Sequence, residues 1–253
     1  MSKARTVLAS LALAVTLSAC AGQGQRGPST QLINRVLASA PGAAQPSTIV
    51  AIEVAYARDA KERGLPAASA DTAAPGALVH GRSGAALFDP SARTAPIAAT
   101  WNPRAIVMSC DGELALSMGR FADQDGQVGN YVTTWARQGN GGYKWTYHAA
   151  GLDNPQPIRV EQQGQDGNIV VTAIDSIEGL VATCPRGDET VPPPPAIGIG
   201  DDGASAAQLS RDGTMRWQWQ HRPDGTRTIS ADYFYEGAWV NGIEESLASP
   251  PEG

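Results

Sequence analysis

From Trp101 onward the apolar residues of this chain recur at every second position, and the runs are separated by Asp-Gly and Gly-rich breaks. Successive side chains of a strand point to opposite faces, and Asp-Gly supplies the positive φ that a tight hairpin needs. Period-two runs broken in this way therefore read as antiparallel strands. The first group is Ala105–Cys110, then Asp111-Gly112, Glu113–Phe121, a turn at Asp123–Gly126, Gly129–Arg137, a turn at Gly139–Gly142, and Tyr143–Ala149. A second group begins at Ala206–Leu209. It continues through Thr214–Arg222, where Met215, Trp217, Trp219 and His221 alternate with Arg216, Gln218 and Gln220, and ends with Thr228–Tyr235 and Ala238–Ile243. MSCDGEL at 108–114 echoes LSRDGTM at 209–215. The echo admits a degenerate repeat, although hairpins reuse Asp-Gly without any common origin.

Before Trp101 the period is helical. Ile49, Ile52, Tyr56 and Ala60 make one stripe, with Val50, Val54 and Ala57 beside it. Ser47 or Thr48 is the expected cap, Arg58–Glu62 and Asp59–Arg63 are spaced for ion pairs, and Gly64 with Pro66 ends the helix. Residues 67–76 suit a second helical turn or short helix, followed by a strand near Ala77–His80 and a loop-like stretch over Gly81–Thr100. Residues 169–184 fit a strand, a strand pair or a short helix, and four prolines then make a polyproline linker. The fold class expected is α+β: helices, an antiparallel sheet, then a small antiparallel meander.

The N-terminus sets the address. Lys3 and Arg5 precede an apolar stretch, Val7–Leu17, that is too short to span a bilayer and ends in small residues, as a cleaved leader does. Leu17-Ser18-Ala19-Cys20 resembles a bacterial lipobox. That resemblance implies cleavage before Cys20, acylation of Cys20 with chains of the palmitate type, and anchoring in a membrane. With Ala rather than Asp at position 21 it implies the outer membrane, facing the periplasm. A plain cleaved signal with a chance Cys is the alternative. The expected divisions are a leader at 1–19, a tether with a short helix at 20–46, a first domain at 47–150, a connector at 151–195, and the second meander at 196–249.

Charge narrows the partners. Removal of Lys3 and Arg5 would leave 17 basic against 25 acidic residues, a net of −8. Such a chain is not expected to bind nucleic acid or to be drawn to anionic lipid by its charge. Of three Cys, Cys110 and Cys184 remain once Cys20 is acylated. In an oxidising compartment they are expected to pair, two buried free thiols being the alternative.

Catalytic motifs are scarce. Gly198-Ile-Gly200-Asp-Asp-Gly203 matches a dinucleotide fingerprint in letters only: prolines precede it, and two carboxylates would repel a pyrophosphate. The His residues are far apart in sequence and no C-x-x-C occurs, so neither a metal nor a cofactor is expected. Trp217 and Trp219 share a strand face, which suits packing under a neighbour first and a binding platform second.

One block supports a family resemblance. The helix at 49–63 is followed by SCDGELALSMGRF (109–121) and GNYVTTWARQGNGGYKWTYHAAG (129–151). This resembles the domain of unknown function 4440 branch of the nuclear transport factor 2-like superfamily, which also holds SnoaL-like cyclases and ketosteroid isomerases. The whole chain is similar to envelope lipoproteins of sphingomonad-type alphaproteobacteria. The first resemblance implies a cone: a curved antiparallel sheet wrapped around helices and a pocket. Candidate pocket residues are Tyr56, Tyr131, Trp135, Tyr147 and His148, with Asp59 and Glu113 as the acids within reach. Strand parity places Tyr143, Trp145 and Tyr147 on one face and His148 on the other. Two functions follow as expectations. One is a non-catalytic module that takes a small apolar ligand or a partner, with a homodimer admitted. The other is a cofactor-free acid–base enzyme of the isomerase, dehydratase or cyclase type. A pocket with His148 or a buried carboxylate beside a Tyr would favour the enzyme.

Overall fold

The computed structural model describes residues 44–91, 98–157, 176–187, 189–197 and 204–248. The leader, Cys20, the tether, the short helix read before Ala40 and the Gly198–Gly203 motif lie outside the described residues, as does 169–175 of the ambiguous stretch.

Helix α1 (Pro46–Arg63) starts with Pro in its first turn, where a backbone N–H has no intrahelical partner to lose. Neither Ser47 nor Thr48 caps it. The cap position is Gln45, whose carbonyl accepts the Thr48 N–H at 2.9 Å. Gly64, at φ +90°, closes the helix with its N–H on the Ala60 carbonyl, and α2 (Leu65–Thr72) follows at once. The Asp59–Arg63 pair forms and Arg63 also reaches Asp71, whereas among the described residues no ion pair joins Arg58 to Glu62. The apolar stripe differs from the expected one. Ile49 and Glu53 are its buried members, and Val54 is 58% exposed.

Seven strands form one mixed sheet: β1 (Ala73–Gly81), β2 (Gly84–Leu87), β3 (Ala98–Met108), β4 (Leu114–Asp123), β5 (Val128–Arg137), β6 (Tyr143–Leu152) and β7 (Glu178–Val181). Their spatial order is β2-β1-β6-β5-β4-β3-β7. The β3–β6 meander is the expected one. The stretch expected as loop holds β2 and the start of β3, which runs antiparallel to β4 from Ala98. Strand β1 joins β6 in parallel, and β7 joins β3 in parallel. Part of the expected connector is thus an edge strand. Cys184, just beyond β7, is disulfide-bonded to Cys110 beyond β3, with the Cα atoms 5.1 Å apart.

The second sheet contains β8 (Ala204–Leu209), β9 (Met215–His221), β10 (Arg227–Tyr235) and β11 (Ala238–Leu247), all antiparallel in the order β11-β10-β9-β8. It packs face to face on the large sheet. Met215, Trp217, Trp219, Ile229 and Ile243 share one buried cluster with Val107, Leu116, Val132 and Tyr147. The indoles of Trp217 and Trp219 are therefore core and not a platform. Helix α1 covers the opposite face, where Ile49 clusters with Ile106, Met108, Ala115, Trp135 and Trp145. Strand β4 lies between both layers, which explains why its first four residues are all buried. The polyproline stretch is held against the outer side of the small sheet, where Trp239 Nε1 donates to the Pro192 carbonyl at 2.8 Å and Arg216 to that of Pro195.

The two echoing hairpin turns are built alike. Ser109 and Ser210 each donate from Oγ to the Asp two residues on at 2.6 Å, and each hydroxyl accepts from a backbone N–H across the turn. They also interlock: Cys110 N–H donates to Thr214 Oγ1 at 3.0 Å, and Asp111 N–H to Asp212 Oδ2 at 2.8 Å. Turn chemistry here joins the two sheets at one end.

The expected face assignment on β6 fails from one residue onward, for Tyr147 and His148. Thr134 lies opposite Tyr147, yet Trp135 lies opposite Trp145, so Thr146 is an extra, bulged residue. A one-residue bulge reverses every side chain beyond it. Tyr143 and Trp145 face the helix, whereas Tyr147 faces the second sheet.

Candidate functional site

On the helix side the sequence-predicted residues Tyr56, Tyr131, Trp135 and His148 come together, and Tyr147 does not join them. At their centre is Glu53, which the sequence reading passed over. It projects from α1 one turn beyond Ile49 and is 1% exposed. The Tyr131 hydroxyl bonds one carboxyl oxygen and the Ser117 hydroxyl the other, while Trp135 Nε1 donates to Ser117 Oγ at 2.9 Å. Burial holds the Glu53 pKa above the ordinary carboxyl range, against the opposing pull of hydrogen bonds led by Ser117 and Tyr131. Tyr131 donates to one oxygen and Ser117 to the other, and the Ser117 hydroxyl also lies 3.3 Å from the Thr133 carbonyl oxygen.

Tyr131 reaches Glu53 because of a glycine. Gly119 is its direct partner across β4–β5, and a Cβ there would stand 2.7 Å from the Tyr131 ring and 2.2 Å from the Asn102 carbonyl oxygen. Phe121 and Gly129 repeat the arrangement two pairs along, on the same face. Each aromatic ring covers the bare backbone of its partner glycine.

His148 is half-buried beside this centre. Its Nδ1 is 2.9 Å from Thr133 Oγ1, and its ring stacks on Tyr131 with centroids 6.2 Å apart. Burial, with the Arg227 cation second, lowers its pKa to about 4, so the ring is neutral at neutral pH. Tyr56 bonds the Ser69 hydroxyl at 2.6 Å and meets Trp101 edge to face. The expected acids stand elsewhere: Asp59 is spent on Arg63, and Glu113 is an exposed turn residue.

Tyr147 belongs to a second polar group, between the sheets. Its hydroxyl is 2.7 Å from His80 Nδ1, and His80 Nε2 is 2.8 Å from His221 Nδ1. Arg227 lies alongside, fully inside, with its guanidinium on the carbonyls of His80, Ala150 and Ala248 at 2.8 to 3.1 Å.

A cleft of about 350 Å³ opens where the end of β6 meets the end of β11. Asn130, Asp153, Pro155, Glu245 and Leu247 are among its walls. Arg120 clamps both oxygens of Asp153 at 2.9 and 2.6 Å and also donates to Asn130 Oδ1, which turns the Asn130 amide toward Glu245 Oε1 at 2.8 Å. Burial raises the Glu245 pKa.

One signal could have exposed Glu53: a carboxylate standing four residues after Ile49 and three before Tyr56, in the middle of an apolar stripe. No comparable signal marks His80 or Glu245, because each acquires its role from a strand more than 100 residues away in sequence. Among the described residues no group of three or more His, Cys, Asp or Glu is placed to hold a metal, and no helix is long and apolar enough to cross a membrane. In comparison with known proteins, no family model matches the chain and no curated protein matches it.

Proposed function

We propose that this chain is a non-catalytic binding module, held to the outer membrane through acylated Cys20, that takes a small molecule in the cleft between Asn130, Asp153 and Glu245. One observation carries the reading: the acid best placed for chemistry is closed off, while the open cavity lies elsewhere. Both Glu53 oxygens are engaged and the side chain is 1% exposed, so a substrate has no free carboxyl to meet. The cleft has the opposite character, with the partly desolvated Glu245 carboxyl in its wall together with apolar Leu247 and Pro155. That lining suits a ligand with a hydrogen-bond donor and a modest apolar body, more polar than the apolar molecule the family resemblance implies.

Helices before a meander, with α1 laid on one sheet face, support the nuclear transport factor 2-like reading. Register breaks in β3 and between β5 and β6 supply the local bends that a curved, cone-like sheet requires. The Cys110–Cys184 bond accords with an oxidising envelope compartment.

A second reading is favoured by the same Glu53: a buried acid whose pKa burial raises, beside Tyr131 and a neutral His148, is the equipment of acid–base chemistry at a carbonyl or hydroxyl. Chemical-shift mapping against a panel of small amines, alcohols and sterol-like ketones separates the two. Shifts at the amides of 129–131, 151–154 and 245–248 are expected. Shifts confined to the neighbours of Glu53, Tyr131 and His148 would replace the binding reading with the enzymatic one.

A further inference from the structure

We propose that His80 and His221 form a pH-sensitive latch between the two sheets, closed while both rings are neutral and released when the pair takes up protons. The chain has three His residues in all, and these two, 141 positions apart, meet across the interface. Their rings are 15° from parallel with centroids 5.0 Å apart, and Trp219 meets His80 edge-on at 4.6 Å.

Proton counting shows why the contact is conditional. In the neutral state Tyr147, His80 and His221 form a single chain in which each nitrogen at a contact is either donor or acceptor. One added proton on the pair still leaves one donor and one acceptor at the facing nitrogens, so the contact survives it. A second makes both facing nitrogens donors, and two stacked cations confront each other across 2.8 Å.

The surroundings give no relief. From β6 the group facing His80 is the Tyr147 hydroxyl, from β9 it is His221 with the Trp219 ring, and from β10 it is Arg227. Arg227 is already a buried cation, and it sits on the His80 carbonyl itself. Among the described residues no carboxylate bonds to His80, His221 or Arg227. Desolvation, then the charges of His221 and Arg227, depress the His80 pKa to about 4. Since the fold favours the neutral ring, the latch is fully closed above the ordinary His pKa, near 6.5, and is lost as pH falls toward 4. The element released is the edge of the large sheet: beyond its antiparallel partner β2, strand β1 is paired with β6 alone.

Hydrogen exchange of the full chain between pH 7 and 4.5, corrected for intrinsic rates, tests the latch. Protection in 77–81 and 215–221 should fall at least tenfold on acidification, while 131–135 in β5 stays protected. His221→Asn keeps an acceptor for His80 and cannot be protonated, so it should make that loss measurably smaller, with the part due to His80's own desolvation remaining. His148→Asn should leave it unchanged. If His221→Asn does not fold, ring-proton titration of the wild type still decides, because a His80 transition near 6.5 would overturn the proposal. So would unchanged protection in the wild type at pH 4.5, an equal loss in His221→Asn, or a loss removed by His148→Asn.

Discussion

Glu53 is a charged residue type placed where the helix meets the sheet, and the cluster around it determines what it can do. Replacing it by Gln keeps an acceptor for Tyr131 and gives Ser117 a donor, so stability at neutral pH should hold or rise slightly. Replacing it by Ala leaves two buried hydroxyls short of a partner and opens a void, at a cost of about 3 kcal/mol. Urea denaturation of the two variants reads the difference directly. Gly119→Ala is the companion test. A methyl group there collides with backbone as well as with Tyr131, so a loss of about 2 kcal/mol is expected, together with displacement of the Tyr131 hydroxyl from Glu53. Neither residue announces its role in isolation. The Gly119–Tyr131 pairing exists only once the β4–β5 register is set, although both residues stand inside the motif that carries the family resemblance.

Elements were legible where periodicity was long and turns were chemically explicit. The meander β3–β6 and the meander β8–β11 follow from period-two runs between Asp-Gly and Gly-rich breaks, and α1 follows from its stripe. What escaped has physical causes. Strand β2 is four residues of Gly, Ala and Leu, too short and too weakly patterned to show a period. The Thr146 bulge carries no sequence mark, and it alone moved Tyr147 from the helix side to the sheet interface. For 169–184 the strand among the alternatives forms, as β7, because it finds the β3 edge to pair with, and the disulfide closes the 74-residue separation behind it. By chain entropy that cross-link is worth about 4 kcal/mol. Reduction, or the Cys110→Ser/Cys184→Ser double variant, should lower stability by that order. Alkylation without reductant should leave both thiols unmodified in the intact mass.

Across the whole molecule, buried ionisable groups pull stability in opposite directions along the pH axis. His80 and His148 have folded pKa values depressed to about 4, so they favour the fold above about pH 6.5 and withdraw support as pH falls toward 4. For His80, nearly fully buried, the change is about 3 kcal/mol. Glu53 is raised, so its contribution is complete below its unfolded value of 4.5 and is lost as pH rises through the folded pKa. Denaturation midpoints across pH 4–9 should therefore trace a dome, with Glu53→Gln flattening its alkaline side and leaving the acid side in place.

The same arrangement separates a closed polar centre under the helix from an open cleft between the sheets, and the proposed function rests on that separation. Native mass spectrometry of the protein purified from its own cells tests it most directly, using the wild type, Glu53→Gln, and Asn130→Ala/Glu245→Ala. A co-purifying small molecule should be retained by the wild type and by Glu53→Gln and be absent from the cleft variant. Retention by the cleft variant, with loss from Glu53→Gln, would contradict the account and put the working site under the helix.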